Sequence, residues 1–121
     1  MKSFILDLKQ LGALIQKENQ AGKTIVAPVS HEHGVSLKPV ARIEDVTLDF
    51  VTTKNSIKEF FFPSTETILE YNVGTHEPVG KTVPTFKPLI VFGVKPCDAA
   101  SLPIIDAVFK WDYKDSFYLK R

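Results

Sequence analysis

Leu89-Ile90-Val91-Phe92-Gly93-Val94-Lys95-Pro96-Cys97-Asp98 is the strongest apolar run in the chain, and it breaks at a glycine, a proline, the only cysteine and an aspartate. Its unbroken apolar part, Leu89 to Val94, predicts a strand buried on both faces in a parallel or mixed interior position. Ala99 to Phe109 then has a helical pattern. Strand, sharp turn and helix start follow one another closely. In open α/β sheets ligands gather just beyond the carboxyl ends of strands. A helix N-terminus there adds free N–H groups and partial positive charge.

Downstream of the run, Pro103 conflicts with a helix interior, because it has no N–H and its ring clashes with the preceding turn. The expectation is a short turn at Asp98–Ala100 and a helix from Leu102 to Phe109, with Ser101 as N-cap and Pro103 in the first turn. Trp111 to Arg121 is an aromatic and charged tail, expected to dock on its own domain or on a neighbour. Upstream, Gly74 to Pro88 is rich in Gly, Pro, Thr and Lys and predicts a surface connection. Thr67 to Val73 has strand composition and follows a turn at Ser64-Thr65-Glu66. Phe60-Phe61-Phe62 must point to more than one side, as core or as core plus interface.

The first half predicts a helix and a hairpin. In Ser3 to Gln20, Phe4, Leu8, Leu11 and Ile15 share one helical face, with Ser3 as N-cap and Gly22 as the αL residue after the end. Thr24 to Val29 predicts a strand whose Pro28 marks an edge or turn. A polar loop, Ser30 to Gly34, and a second strand, Val35 to Ile43, complete a hairpin. Leu48 to Thr53 predicts one more short strand. The chain is therefore expected to be one α/β domain over 1–121, with α+β as the alternative. It should have a small mixed sheet, an N-terminal helix and a helix after the strand at 89–94.

Composition narrows the function classes. At 121 residues with 44% hydrophobic and 24% charged content, the chain can bury a real core. A net charge of +1 argues against a dedicated nucleic-acid binder. No apolar run is long enough to span a bilayer. Asp7 and Lys9 interrupt the N-terminal apolar residues, and no small-residue cleavage site follows, so no signal peptide is expected. One cysteine excludes an internal disulfide and suits a reducing cytoplasm. It also excludes an iron–sulfur cluster held by this chain's thiolates alone.

Candidate chemistry centres on Lys95, Cys97 and Asp98. A cysteine near a helix start is placed to favour its thiolate, and Lys95 could assist or bind an anion. The plainer readings are a small residue buried at a tight turn, a capping aspartate and a solvated lysine. His31-Glu32-His33 could offer metal ligands, with His76 the only other histidine. A solvated polar loop explains them better. No dinucleotide, phosphate-loop or nucleophile-elbow motif is present, and no Ser/His/Asp arrangement can be argued from spacing.

Several blocks together resemble a family. Phe92-Gly93-Val94-Lys95-Pro96-Cys97-Asp98-Ala99-Ala100-Ser101-Leu102, then Asp106-Ala107-Val108-Phe109, then Asp115-Ser116-Phe117-Tyr118-Leu119-Lys120-Arg121, look like the N-terminal region shared by the iron–sulfur beta subunits of cytoplasmic sulfhydrogenases and the related iron–sulfur subunit of anaerobic sulfite reductase. The segment from Lys58 to Glu66 resembles that family's F-F-x-P-x-x-E element, and Thr24 to Val29 resembles its opening strand. Lys95 stands where arginine is usual, and Pro103 replaces an ordinary helical residue.

The resemblance implies a domain that precedes ferredoxin-like Cys clusters holding [4Fe–4S] centres, in a subunit that relays electrons. It implies an accessory role for this chain: docking a cluster domain or another redox subunit, without nucleic-acid or membrane partners. Gly93, Lys95, Pro96, Cys97 and Asp98 would shape the loop facing that domain. The alternatives are a small-molecule or anion-binding module using the same loop, and a structural homo-oligomer through Phe60–Phe62 or the C-terminal aromatics. An independent enzyme ranks last.

Overall fold

The period-two pattern of Thr24–His31 settles the layers. Ile25 and Ala27 point to one side of the strand and Val26 to the other, and all three are fully buried. A strand buried on both faces needs cover on both faces, and the chain supplies it. The computed structural model describes residues 5–70, 74, 81–82 and 86–121. Its elements are α1 (Leu8–Gln20), β1 (Thr24–His31), β2 (Gly34–Pro39), a 3₁₀ turn at Ile43–Asp45, α2 (Lys58–Phe61), β3 (Leu69–Glu70), β4 (Lys81–Thr82), β5 (Leu89–Val91), α3 (Pro96–Lys110) and a 3₁₀ turn at Tyr118–Lys120.

The main sheet runs β2-β1-β5. β1 and β2 form the expected antiparallel hairpin, from His31 opposite Gly34 to Val26 opposite Pro39. β5 pairs parallel to β1, with Ile25 opposite Ile90. The chain is thus a small α/β domain with a mixed sheet. β3 and β4 form a separate antiparallel pair. On one face Ile15 of α1 packs with Ile25, Ala27 and Val40, and Leu11, Ile90 and Phe92 lie against them. On the other, Val26, Leu37 and Ile57 pack with Phe60, Phe61, Leu89, Val91, Val94 and Leu102. No helix among the described residues is long and apolar enough to cross a membrane.

Several expectations are corrected. α1 begins at Leu8, because Asp7 supplies a complete capping box. Its carboxylate accepts from the Gln10 amide at 2.7 Å, and the Gln10 side chain accepts from the Asp7 amide at 2.9 Å. Ser3 and Phe4 lie outside the described residues. Gly22 does take the left-handed conformation expected after the helix, with φ +82°. The strand with neighbours on both sides is β1, whereas β5 has one and its residues are half-buried. β2 stops at Pro39, and Ile43 begins a 3₁₀ turn against Gly12.

Leu48–Thr53 is not a strand, for a topological reason. Thr47 donates its amide to Pro28 O at 2.8 Å, on the β1 edge beyond the end of β5. Asn55 grips Leu37 on the outer edge of β2, accepting from its amide at 2.7 Å and donating to its carbonyl at 3.0 Å. Residues 48–53 therefore cross the end of the sheet from one edge to the other. Pro28 fits the same geometry. Its missing N–H faces the side where β5 has already ended, so no ladder bond is lost.

Tyr71–Val73, most of the Gly74–Pro88 connection and His76 lie outside the described residues. Phe60 and Phe61 are core, while Phe62 is exposed with its ring tilted against Phe109 at 5.1 Å.

Candidate functional site

The 93–98 segment leaves β5 and enters α3 in a single turn. Gly93 sits at φ +72°, a conformation that costs an ordinary residue roughly 1–2 kcal/mol. A Cβ there would lie 2.6 Å from Pro28 Cγ, so the position admits only glycine. Val94 turns inward to the core. Lys95 is extended (φ −70°, ψ +144°), as the residue before a proline must be. Its ammonium lies 4.7 Å from the centroid of the Phe50 ring, a cation–π contact.

α3 starts at Pro96, not near Leu102. Proline at the first helical position is favourable, since its absent N–H would be unpaired there anyway. The expected turn at Asp98–Ala100 is helix, and Ser101 is not a cap. Its hydroxyl donates back to the Asp98 carbonyl at 2.7 Å. Pro103 does sit inside the helix. It returns no N–H to the carbonyl of Ala99, but Ala99 is exposed and water can serve that carbonyl. Asp98, in the first turn, is favourably placed towards the helix dipole. Its Oδ1 accepts from the Ser56 hydroxyl at 3.2 Å, which ties α3 to the segment before α2.

Gly93, Lys95 and Asp98 are thus each held by the chain's own residues, at Pro28, Phe50 and Ser56. Cys97 is exposed, as is Pro96. The plain reading of Cys97 as a buried turn residue is therefore overturned. Sequence reasoning missed Phe50, Ser56 and Pro28 as parts of this loop. No local signal marks them, since each meets it from a distant stretch of chain.

The histidine loop is self-contained. His31 Nδ1 accepts from the His33 amide at 3.3 Å, and its Nε2 lies 2.8 Å from Ser36 Oγ. Both ring nitrogens are engaged, with Nε2 carrying the proton. Desolvation, then the charges of Lys38, Lys54 and His33, hold the His31 pKa below its ordinary value. Among the described residues no three His, Cys, Asp or Glu groups converge as a metal site.

The tail is partly docked on its own domain. Asp115 Oδ1 accepts from the Phe117 and Tyr118 amides and sets the last turn. Tyr118 is buried, stacks on Phe109 at 4.4 Å, and donates to Asp106 Oδ1 at 2.7 Å. Burial, reinforced by Asp106, pushes the Tyr118 pKa up to about 12. Lys110, 2.6 Å from Asp106, and then Tyr118 hold that carboxyl below the usual carboxylate range. Arg121 pairs with Glu66 and donates to Phe61 O at 3.0 Å. Trp111 and Tyr113 remain exposed.

No protein-family model, curated protein or solved structure matches the chain. The fit of an iron–sulfur cluster is thus a question for the donor set. A [4Fe–4S] cluster takes four thiolates, and this sequence contains one cysteine. The residues do not fit a resident cluster.

Proposed function

We propose that this chain is a non-catalytic scaffold domain of an iron–sulfur electron-transfer subunit, of the hydrogenase or sulfite-reductase kind, and that the Gly93–Asp98 loop seats a cluster-bearing domain or partner subunit. One observation carries the choice of docking over ligand binding. The two charged groups that could recognise a small anion or act in acid–base chemistry, Lys95 and Asp98, are both occupied within the fold, on Phe50 and Ser56. What the loop offers outward is Pro96 and Cys97. A rigid, uncharged surface suits the shielding of a cluster, whose potential depends on the dielectric around it.

The resemblance of the G-V-K-P-C-D block supplies the class of partner. The clusters belong to that partner and none to this chain. A reducing cytoplasm is the compartment in which an exposed Cys97 stays a thiol.

The test is amide shift mapping of the labelled chain against a ferredoxin domain that holds two [4Fe–4S] clusters. Shifts and paramagnetic broadening concentrated on Gly93–Ala99, and weakened by Cys97→Glu, are expected. Broadening spread evenly over the surface, or unaltered by that substitution, would refute the reading.

A further inference from the structure

The outer face of α3 goes beyond the loop. Cys97, Ala100, Ile104, Ala107 and Trp111 recur at alternating spacings of three and four residues. That average of 3.5 is the period of a helix–helix seam. All five are exposed. The seam has two columns: Cys97, Ile104 and Trp111 in one, and the alanines 100 and 107 in the other. It carries no charge. Asp98 is turned to Ser56, and Asp106 and Lys110 are paired with each other.

We propose that this seam pairs with the same seam of a second copy, antiparallel, about a two-fold axis. Reversing one helix sets each large column against the other copy's alanines. Trp111 meets Ala100 of the partner and Ile104 meets its Ala107, and both contacts repeat by symmetry. Large against small in every layer is the pattern that interdigitates, and an isologous interface requires that kind of self-complementarity. A strip without charge meets its own copy with no like-charge penalty, and it gives a charged partner nothing to select.

The area is sufficient but modest. Trp111 is 80% exposed, Ile104 69% and Val108 64%. With the small residues between them they offer roughly 500 Å² per copy, so about 1,000 Å² in the pair, the lower limit for a specific interface. The dimer is accordingly weak and concentration-dependent. It leaves the Gly93–Asp98 loop at the ends of the paired region, so it stands or falls apart from the scaffold reading.

Sedimentation equilibrium of the full chain from low micromolar to near-millimolar concentration tests the association. A monomer–dimer equilibrium is expected, weakened at least tenfold by Ile104→Glu and by Ala107→Glu, with helix content kept. Ile104→Ser, a milder change at an exposed position, should weaken it less. A nitroxide on Cys97, the only cysteine, reads the geometry. In the antiparallel register the two labels stand about 25 Å apart along the axis, against roughly 10 Å for a parallel pair. A monomer at every concentration overturns the proposal, as does a dimer that both glutamates leave intact, or a label distance near the parallel value. A monomer whose α3 amides shift only with the cluster-bearing ferredoxin domain overturns it too, and assigns the face to that partner.

Discussion

α1 and α3 flank the same small sheet, and they differ in what they leave outside. α1 puts Leu11 and Ile15 on the sheet and exposes Lys9, Gln10, Gln16, Lys17 and Gln20. α3 sends Leu102 to the core and exposes Ile104, Val108 and Trp111. α1 is amphipathic in the ordinary sense. α3 is apolar on both sides, which within a single domain marks a helix with cover on one side only. A buried apolar residue and an exposed one contribute very differently to folding, and that contrast can be measured.

The sharpest test compares two isoleucines. Ile15→Ala removes a side chain that is 1% exposed and should cost about 2–5 kcal/mol of unfolding free energy. Ile104→Ala, measured by urea unfolding at a concentration where the chain is monomeric, should change it by no more than about 0.5 kcal/mol. Similar losses at both sites would mean that the outer face of α3 is packed within the monomer.

Next in size is the entry to α3. Gly93→Ala combines a left-handed backbone with a Cβ that would lie 2.6 Å from Pro28 Cγ, so a loss of about 1–3 kcal/mol is expected. The entry to α1 rests instead on a side chain. Asp7→Ala removes the capping box and should cost about 1 kcal/mol. Asp98→Ala, which frees Ser56, should cost about 0.5–1.5 kcal/mol. Circular dichroism separates the two aspartates, because only Asp7→Ala should fray its helix. Helix loss from Asp98→Ala would contradict the assignment of its bond to Ser56.

The same contrast explains what the sequence could reveal. The hairpin was legible because its information is local: two β-rich segments around a polar loop that contains Gly34. The helical stripe of α1 was legible because Leu11 and Ile15 repeat at the right spacing. Sheet order was not, since only the pairing of residues 24–26 with 89–91, far along the chain, puts β1 in the middle. The α3 start misleads for a physical reason. Pro96 looks like a loop residue until it is seen as the first helical position, and Pro103 looks like a boundary until Ala99 proves exposed.

At the candidate site, the need for a turn at Gly93 was local information. Its neighbours Pro28, Phe50 and Ser56 were not, and they decide that Lys95 and Asp98 are occupied. The α3 seam spacing is itself visible in the residues. Its exposure is not, because the same pattern could equally have been core.

The smallest effects are in pH, and they distinguish the two ends of the domain by sign. Tyr118, at the α3 end, has its pKa raised from 10.0 to about 12. Its contribution is therefore complete below the unfolded value and is lost as pH rises through the folded one. Tyr118→Phe should flatten the fall in the unfolding midpoint above pH 10. His31, at the hairpin end, has its pKa lowered from 6.5. Its contribution is complete above 6.5 and is lost as pH falls through the lower folded value, because a protonated Nδ1 can no longer accept from the His33 amide. The difference in midpoint between wild type and His31→Gln should therefore shrink as pH drops below 6.5, before the carboxylates titrate. A difference that grew on acidification would mean that the charged ring is the form the hairpin prefers, and that Ser36 accepts from it while Nδ1 has another partner.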